Sequence, residues 1–503
     1  MQSVISVDIG TTAVKVSLVE RGGRILFTSA EDYPTDLSHG RVEQNPEHWW
    51  RAFIKCLSDI RLGCPEVSSE AIVLSGQMQD LICISDGKLT GRAILYSDTR
   101  ASEQWDYLSD CMGAETFSAA VKNSGDSSSI PAKILWLKKH SPGHVSGNVK
   151  YLLAAHDYIC WKLTGLAVTD YTNASTTGLL NFDSNNWDRE ILSIAGITEE
   201  NLPELVRADS VTGAVGAAAA VETGLTEGLP VIHGAGDAAS STLGAGAGVE
   251  GVYSGYLGTS GWIAATSGSA KKSETGIFNL KHPNPEKVLN IGPMLLTGGN
   301  IAWVVKTFLS EPGSTVSSEL FESFTSGAES SPAGSGGLFY LPYLSGERSP
   351  FRDSDARGAF IGLTKMTSRA DMFRAVLEGV SYSLRSIIEM ISAGDSEDRR
   401  IHLSGGGAAN NLWAEILSSV TDSEICTMAN ARESGVLGNV IIAGNALGWF
   451  NSFSAPSGFV GIENRYQSDV SLSAFYSEGY KIFNNLYPVL KNSFRDISSW
   501  NKK

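Results

Sequence analysis

The sequence predicts an α/β protein made of two lobes that face each other across a central ligand cleft. A chain of 503 residues is longer than one hydrophobic core usually organises, which favours more than one domain. Strand-like and helix-like segments alternate, as in the strand predicted over Ala71–Ser75 and the helix predicted over Ala132–Lys139, and this alternation indicates mixed α/β layers. A repeated hairpin is the third observation.

The hairpin occurs once near the start of the chain and once near its middle. Two β-prone runs flank Gly10-Thr11-Thr12, and two more flank Gly258-Thr259-Ser260, which is a hairpin pattern. The shared order of an aliphatic residue, glycine, threonine and a second hydroxyl residue indicates an internal duplication, with both turns aimed into one cleft. The Gly/Ala-rich stretch Gly244–Gly248 then separates a lobe of residues 1–246 from a lobe of residues 247–503, unless it is a tightly packed helix face.

Three further segments complete the prediction for the second half. Ser368 and Asp371 fit the N-cap and the N3 acid of a helix, and apolar residues then follow at helical spacing, which indicates a core helix. Within residues 401–413 a strand runs into Gly405-Gly406-Gly407 and a helix, so that a ligand can approach free N–H groups. Serine and glycine are frequent in residues 311–337, which favours a mobile loop or a peripheral cap in part of this segment.

Composition and charge exclude several classes of function. The formal charge of −15 argues against nucleic-acid binding, which needs a basic stripe, although N–H groups and a divalent metal can still bind an anionic nucleotide. The six cysteines are scattered without a CxxC pair, which argues against zinc and for a reduced compartment. Neither a signal-peptide pattern nor an apolar run of membrane length is present in the sequence, so we expect a cytoplasmic protein without membrane partners.

Asp237 is the most informative single residue. It follows an apolar strand and a turn of small residues, so a small polyol could approach its carboxylate closely. The next turn, at Gly258 and Thr259, is suited to phosphate oxygens. A general base next to a phosphate-binding turn suggests phosphoryl transfer to a hydroxyl. The alternative is an aspartate that caps the helix beginning near Ala238.

Several ordered motifs extend this interpretation, and together they resemble the FGGY family of carbohydrate kinases. Gly358-Ala359-Phe360-Ile361-Gly362-Leu363 and the later Asp371–Glu378 fit each defined position of the family's C-terminal signature. The segment Tyr340–Pro350 is also typical, and Lys133–His140 matches most of the N-terminal signature, although Ile130 departs from it. The resemblance covers nearly the whole chain and implies the two-lobed, ribonuclease H-like ATPase fold of the actin/hexokinase/Hsp70 superfamily.

Within the family, the sugar-side motifs are most similar to those of the xylulokinases. Gly76-Gln77-Met78-Gln79-Asp80 resembles their Gly-Gln-Met-His-Gly segment, and Tyr96-Ser97-Asp98-Thr99-Arg100 resembles their Trp-x-Asp-x-Arg segment. Two positions depart from the pattern, because Gln79 replaces a histidine and Ala238 replaces the asparagine that follows the catalytic aspartate. Glutamine keeps a donor and an acceptor, whereas alanine cannot hydrogen-bond a hydroxyl.

The resemblance also implies roles for individual residues. Asp237 would be the general base that takes the proton of the attacking hydroxyl, and Asp8 would bind Mg²⁺ through water, unless it stabilises its own turn. Residues implied to contact ATP and its phosphates are Thr11, Thr12, Lys15, Gly258, Thr259, Gly406, Gly407 and Asn410. Residues implied to contact the sugar are Met78, Gln79, Asp98 and Asp237.

Three of these binding positions have a second interpretation, and the role of the neighbouring Arg100 is open. Lys15 fits an exposed lysine on a strand, and Met78 fits core packing. Asn410 fits a helix N-cap. Arg100 either orients Asp98 or contacts the substrate.

The implied activity is ATP-dependent phosphorylation of a ketopentose, with D-xylulose converted to D-xylulose 5-phosphate. Another sugar or polyol, such as ribulose, gluconate or a deoxy-sugar, remains an alternative. A non-catalytic sugar-binding regulator derived from a kinase is a third, but the retained Asp8, Thr11 and Asp237 argue against it. The expected partners are the sugar and ATP, and a homodimer is compatible with the resemblance.

Overall fold

The computed structural model describes residues 2–38, 41–145, 147–272, 275–311, 317–392 and 399–500. Strands and helices alternate along both halves of the chain. The strands of the first half are β1 (Ser3–Ile9), β2 (Ala13–Glu20), β3 (Ile25–Asp32), β4 (Glu43–Gln44), β5 (Ala71–Gly76), β6 (Met78–Ser85), β7 (Lys88–Leu89), β8 (Ala93–Ile94), β9 (Val149–Ala154), β10 (Val168–Asp170), β11 (Leu180–Asn181), β12 (Asn186–Trp187), β13 (Glu204–Val206), β14 (Val211–Ala214) and β15 (Pro230–Gly236). The helices of the first half are α1 (Pro46–Gly63), α2 (Ser102–Met112), α3 (Ala114–Val121), α4 (Ile130–His140), α5 (Ala155–Thr164), α6 (Tyr171–Ala174), α7 (Arg189–Ala195), α8 (Ala217–Thr223) and α9 (Asp237–Gly244).

The second half follows the same alternation. Its strands are β16 (Val252–Leu257), β17 (Gly261–Ser267), β18 (Phe278–Lys281), β19 (Val288–Met294), β20 (Phe339–Leu341), β21 (Ala359–Ile361), β22 (Arg400–Ser404), β23 (Glu424–Met428) and β24 (Ile462–Tyr466). Its helices are α10 (Gly298–Phe308), α11 (Ser318–Glu329), α12 (Arg369–Ser392), α13 (Asn411–Thr421), α14 (Ser434–Ala446) and α15 (Val470–Trp500).

The main sheets of the two lobes have the same strand order. The first runs β3-β2-β1-β5-β15-β14, and the second runs β19-β17-β16-β22-β23-β24 with β18 added outside β19. In each sheet three antiparallel strands are followed by two parallel strands and an antiparallel edge strand. The hairpins β1–β2 and β16–β17 occupy equivalent places. This repetition confirms the predicted duplication and the two-lobed α/β architecture.

Helices cover both faces of the first sheet. On one face, Val7 and Val16 pack against Trp49 and Phe53 of α1. On the other face, a second core joins the sheet to α9 and to α14 of the C-terminal half. Central parallel strands need both faces covered, which explains why β5 is buried along its whole length.

Helices α9 and α14 join the two halves at very close range. A Cβ atom on Gly438 would lie 1.8 Å from the carbonyl oxygen of Ser240, and one on Gly244 would lie 1.8 Å from that of Ser434. Glycine at both positions lets the two backbones touch. Gly244 therefore belongs to a tightly packed helix face, which is the second interpretation of the Gly/Ala-rich stretch.

The Ser/Gly-rich segment contains a helix that the sequence analysis did not predict. Helix α11 occupies Ser318–Glu329, and residues 312–316 lie outside the described part. Phe324 and Ala328 share one face of this helix and are fully buried, with Phe324 against Phe373 of α12. One buried aromatic residue and a small neighbour one turn later outweigh the low helix propensity of the serines and glycines.

The predicted capping of α12 is confirmed. The carboxylate of Asp371 accepts the N–H of Ser368 at 2.8 Å, and the Ser368 hydroxyl accepts the N–H of Asp371 at 3.2 Å. The apolar stripe that follows is buried, including Leu377 and Ile388. Capping and periodicity are both local signals, so they could be read without knowledge of the fold.

The longest helix is amphipathic rather than apolar. Helix α15 buries Tyr476, Tyr480 and Phe483 against Tyr382 of α12, while its outer face is exposed. Among the described helices, none combines the length and the apolar character that a membrane span requires.

Candidate active site

Two acidic side chains lie at one edge of the N-terminal sheet. Strands β1, β5 and β15 run parallel and side by side, so their carboxyl ends meet at the same edge. Asp8 pairs with Ser75 in the register of β1 and β5, and Ser75 pairs with Ala235 of β15. Asp237 begins α9 directly after β15. The fold thus brings the two carboxylates singled out by the sequence to one place.

The environment of Asp237 differs from that of a helix cap. The N-cap residue of α9 is Gly236, and the Asp237 carboxylate accepts the N–H of its neighbour Ala238 at 2.7 Å. Burial and then the charge of Asp8 raise the pKa of Asp237 to about 7, against the lowering effect of that hydrogen bond. A carboxylate with a near-neutral pKa can exchange a proton at physiological pH.

Asp8 has neutralising neighbours that Asp237 lacks. Burial raises its pKa, whereas a 3.1 Å hydrogen bond from the Ser75 hydroxyl and the charge of Lys15 lower it. Lys15 pairs with Asp8 across the β1–β2 hairpin and is only partly exposed. Lys15 therefore lies beside the carboxylate rather than in open solvent.

A chain of polar contacts holds the first hairpin turn. The Gln44 side chain donates to the carbonyl oxygen of Thr11 at 2.7 Å. Its oxygen accepts from the Trp49 indole at 2.8 Å and from Gln77 at 3.0 Å. Buried Trp49 thus supports the turn from behind, and the hydroxyl-bearing Thr12 remains exposed.

The second hairpin turn is held by the start of α10, which the sequence analysis missed. The N–H of Gly298 donates to the Gly258 carbonyl at 2.9 Å, and the N–H of Gly299 donates to the Thr259 carbonyl at 3.0 Å. A Cβ on Gly298 would lie 2.6 Å from the Gly258 oxygen, so only glycine allows this approach. The sequence does contain a signal for this contact, since two adjacent glycines lie between a strand and an apolar helix.

The glycine run after β22 forms the third backbone element of the site. Gly405 has a φ of 87°, and a Cβ there would lie 2.7 Å from the Leu257 oxygen. A Cβ on Gly406, by contrast, would meet no atom within 4 Å, so this residue faces open space. Asn410 caps α13, because its Oδ1 accepts the N–H of Trp413 at 3.0 Å. The N-cap interpretation of Asn410 is confirmed.

Met78 and Gln79, which the resemblance implies contact the sugar, lie next to the carboxylate edge. A Cβ on Gly236 would lie 2.0 Å from the sulfur of Met78, so this methionine packs directly against the residue before Asp237. Gln79 has a φ of 61°; its N–H donates to Asn173 at 3.0 Å, and its side chain donates to the Ser128 carbonyl at 3.2 Å. The left-handed backbone of Gln79 turns β6 at its entry to the site.

Asp98 is held by protein groups on both of its oxygens. It accepts the N–H of Val42 at 2.7 Å and the Arg100 guanidinium at 2.9 and 2.6 Å. Burial opposes ionisation, but Arg100 and the backbone donors keep the pKa of Asp98 below its ordinary value. Arg100 also binds Glu43 at 2.8 Å and stacks over Trp136. Arg100 therefore orients Asp98.

Two buried charged residues near the site were also missed. Asp80 stands where the resembled segment has its second glycine, and it is fully buried. Burial raises its pKa well above the ordinary range, Lys133 opposes this, and Asp237 and Asp157 add to it. Burial lowers the pKa of Lys133 to about 8, and its ammonium donates to the Leu95 carbonyl at 2.7 Å. The sequence signal that could have pointed to Asp80 is the aspartate at a position where the resembled segment has glycine.

A fully buried network of histidines and aspartates lies in the N-terminal half, close to β15. His156 Nε2 is 3.0 Å from Asp170 Oδ1, and His233 Nε2 is 3.2 Å from Asp157 Oδ1. Asp157 and Asp170 overcome the effect of burial and raise the pKa of His233. Ligand atoms of His156, Asp170 and His233 lie within 4.8 Å of one another, and a hydrogen bond joins His156 to Asp170. Asp170 caps α6, whose Asn173 then holds Gln79.

Comparison with known proteins agrees with this geometry. The chain matches the N-terminal domain of the FGGY family of carbohydrate kinases over residues 3–244 and the C-terminal domain over residues 254–447. It is 29% identical to the xylulose kinase of Bacillus subtilis (strain 168), over 100% of this chain and 98% of that protein. It is 30% identical to the gluconokinase of the same organism, over 99% of this chain and 98% of that protein.

Among solved structures, the crystal structure of xylulose kinase from Rhodospirillum rubrum superposes with a TM-score of 0.90 at 27% identity. The alignment covers 98% of this chain and 100% of that one. Similarity at this level extends over both lobes and the cleft between them, and it supports the actin/hexokinase-like ATPase fold. With both family domains present and the paired carboxylates at the sheet edge, this chain belongs to the FGGY family of carbohydrate kinases and is a sugar kinase.

Proposed function

We propose that this kinase transfers the γ-phosphoryl group of ATP to a hydroxyl of a ketopentose, with D-xylulose as the first candidate and Asp237 as the general base. The observation that carries the proposal is the near-neutral pKa of Asp237 at the edge that also holds Asp8. A stronger base removes a hydroxyl proton more readily as the P–O bond forms, provided that it is still ionised at the working pH.

Asp8 is the residue we propose for Mg²⁺. Its Oδ1 accepts one hydrogen bond from Ser75, and a Cβ on Gly435 would lie 3.6 Å from its Oδ2, so the glycine leaves room beside that oxygen. A partly desolvated carboxylate with space on one side fits a hydrated divalent cation. When bound, Mg²⁺ neutralises phosphate charge, and Lys15 adds a second positive charge on the same side.

The remaining parts of the site have roles in binding and orientation. We propose that Thr11, Thr12, Gly258 and Thr259 bind phosphate oxygens from the two lobes. Gly406, which faces open space, and Gly407 would admit the nucleotide, with Asn410 nearby. Met78, Gln79 and Asp98 would shape the sugar pocket. In-line positioning between the two turns would supply much of the rate enhancement.

A screen for ADP release tests this function. The purified protein with Mg²⁺ and ATP would be offered pentuloses, hexuloses, polyols and aldonates, with Asp237→Ala as the control for contaminating kinases. We expect the highest kcat/KM with a ketopentose and no release by the variant above background. A clear preference for gluconate would make gluconate the substrate in place of D-xylulose. This alternative is worth testing because the chain is 30% identical to a gluconokinase. Equal ADP release by Asp237→Ala would contradict the proposed base.

A further inference from the structure

We propose that Asn439 is a positioning residue of the phosphoryl transfer, which fixes the carboxylates of Asp8 and Asp237 relative to each other. It lies on α14, a helix of the C-terminal half, and it acts through hydrogen bonds to two serine hydroxyls, one in the support of each carboxylate. The inference rests on the roles proposed for Asp8 and Asp237 and adds the residue that couples them. The side chain is an amide, so its contribution is to geometry and not to proton transfer.

Asn439 lies where α14 crosses the N-terminal sheet. Helix α14 packs against α9, β1 and β5, although 433 positions of the sequence separate Asn439 from Ser6 of β1. A Cβ on the preceding Gly438 would lie 1.8 Å from the carbonyl oxygen of Ser240, so α14 and α9 are in backbone contact. Asn439 itself is fully buried. A buried amide is costly unless its polar atoms find partners, and these partners define what the side chain holds.

The amide nitrogen of Asn439 holds the Asp8 side of the site. It donates to Ser75 Oγ at 2.9 Å and to the Val7 carbonyl at 3.1 Å, and Ser6 Oγ is a third acceptor at 3.1 Å. Ser75 can donate its single proton to Asp8 Oδ1 at 3.1 Å or to the Val7 carbonyl at 3.2 Å. Because Asn439 also donates to that carbonyl, and because a charge-assisted bond is the stronger one, the Ser75 proton goes to Asp8. Oδ1 of Asp8 is thereby fixed, and Oδ2 is left for the proposed cation.

The amide oxygen of Asn439 holds the Asp237 side of the site. It accepts the Ser240 hydroxyl at 2.9 Å, and Ser240 lies one turn after Asp237 on α9. The Ser240 hydroxyl also lies 3.5 Å from the carbonyl oxygen of Ala235 on β15, which ties α9 to the strand before it. Since Asp237 is the first residue of α9, its place depends on how this helix is held. One amide side chain therefore connects the supports of both carboxylates.

The same bonds also satisfy buried hydroxyls, so a purely structural role is the alternative. The two roles differ in what the loss of the amide changes. A structural role predicts a lower melting temperature with normal turnover of the folded protein. A positioning role predicts slower turnover, because a misplacement of reacting groups by about 1 Å can reduce the rate on the order of 10²-fold.

A double-mutant cycle separates these roles, since it measures whether two side chains act together. Asn439→Ala, Ser75→Ala and Ser240→Ala would be made singly, and Asn439→Ala would be combined with each serine variant. The matched control is Asn445→Ala, later on the same helix, whose amide donates to backbone carbonyl groups. Steady-state ADP release would give kcat and KM with the best sugar of the screen, and thermal melting would report stability. Electron paramagnetic resonance would measure the binding of Mn²⁺ with a non-hydrolysable ATP analogue, independently of turnover.

We expect kcat of Asn439→Ala to fall on the order of 10²-fold, with KM for sugar and ATP little changed. Each serine variant should show part of this loss, and the double variants should lose no more than Asn439→Ala alone, because Asn439 acts through the serines. Mn²⁺ binding should weaken in Asn439→Ala and Ser75→Ala but not in Ser240→Ala. Asn445→Ala should match the parent. If Asn439→Ala does not fold, Asn439→Ser gives the same comparison, since its shorter hydroxyl cannot bridge both serines.

Several results would overturn the inference. An unchanged kcat in a folded Asn439 variant would do so, and so would losses that simply multiply in the double variants. A lower melting temperature with normal turnover would identify Asn439 as a structural residue only. These outcomes leave the proposed function intact, because they do not concern Asp237→Ala. Normal turnover of Asp237→Ala would instead contradict the proposed function, and this inference would fall with it.

Discussion

The two hairpins of this kinase share one scaffold and carry different chemistry. They occupy the same place in sheets of the same strand order, and Ile9–Thr12 corresponds to Leu257–Ser260. The residue before each shared segment is Asp8 in the first lobe and Tyr256 in the second. Asp8 faces a second carboxylate, whereas Tyr256 stacks on Trp262 with ring centroids 4.2 Å apart.

The difference extends to what holds each turn. The side chains of Gln44 and Trp49 support the first, whereas the start of α10 holds the second, through the N–H groups of Gly298 and Gly299 and the preceding Thr297 hydroxyl. A duplicated fold thus separates the proposed acid–base chemistry on one lobe from an aromatic and glycine-lined surface on the other. This division predicts that changes in the first lobe alter turnover and changes in the second alter nucleotide binding.

The largest expected effect belongs to Asp237→Ala. A positioned general base typically contributes ~10²–10⁴-fold to the rate, so kcat on the true substrate should fall by about that factor while the affinity for ATP stays nearly unchanged. Steady-state kinetics and nucleotide binding by calorimetry would measure both. Near-normal turnover in a folded variant would remove Asp237 from the mechanism.

The pH dependence should follow the same carboxylate. Because burial and Asp8 raise the pKa of Asp237 to about 7, the acid form predominates below that pH and cannot accept a proton. We expect kcat/KM to rise about tenfold per pH unit on the acid side and to level off above pH about 7. A profile of kcat/KM that is flat from about pH 5.5 to 8.5 would contradict this assignment. This range extends roughly 1.5 pH units on each side of the Asp237 pKa.

A smaller effect is expected in the second lobe, from Gly258→Ala. A Cβ there would lie 2.5 Å from the Tyr256 ring, and such overpacking costs about 1–3 kcal/mol. KM for ATP should rise about tenfold, which corresponds to about 1.4 kcal/mol, with little change in KM for the sugar. The control is Gly268→Ala, where a Cβ would meet no atom within 4 Å. A larger rise in KM for the sugar than in KM for ATP would contradict the proposed division of roles between the lobes.

Features of the fold and the site could be predicted from the sequence where they depend on residues that are close together in the chain. The hairpins and the Ser368–Asp371 cap depend on neighbouring residues, and parallel-strand topology then brings Asp8 and Asp237 together. The burial of Asp80 and Lys133 depends on α4 folding across β6, which no local pattern encodes. Helix α11 was missed because two apolar residues, Phe324 and Ala328, outweigh many serines and glycines only once α12 is beside them.

A few-fold effect is expected at the two departures from the xylulokinase pattern. Gln79 lies at the entry to the site, and Ala238 follows the proposed base on α9. Gln79→His combined with Ala238→Asn restores a hydrogen-bonding group at each position and should move the ratio of kcat/KM toward D-xylulose relative to D-ribulose and L-xylulose. If the parent already prefers D-xylulose strongly and the double variant leaves the ratio unchanged, these two positions do not set selectivity among ketoses.

The smallest measurable change should be in shape. If the turns of both lobes bind phosphate as proposed, the lobes should approach each other when sugar and nucleotide are bound, which would exclude water from the transferring group. The backbone contact between Gly438 and Ser240 joins α9 to α14 and would serve as the fixed point about which the lobes rotate. Small-angle scattering with a ketopentose and a non-hydrolysable ATP analogue should show a lower radius of gyration than either ligand alone. An unchanged radius with both ligands demonstrably bound would mean that the two turns already face each other at reaction distance, and the two lobes would then act as one rigid site.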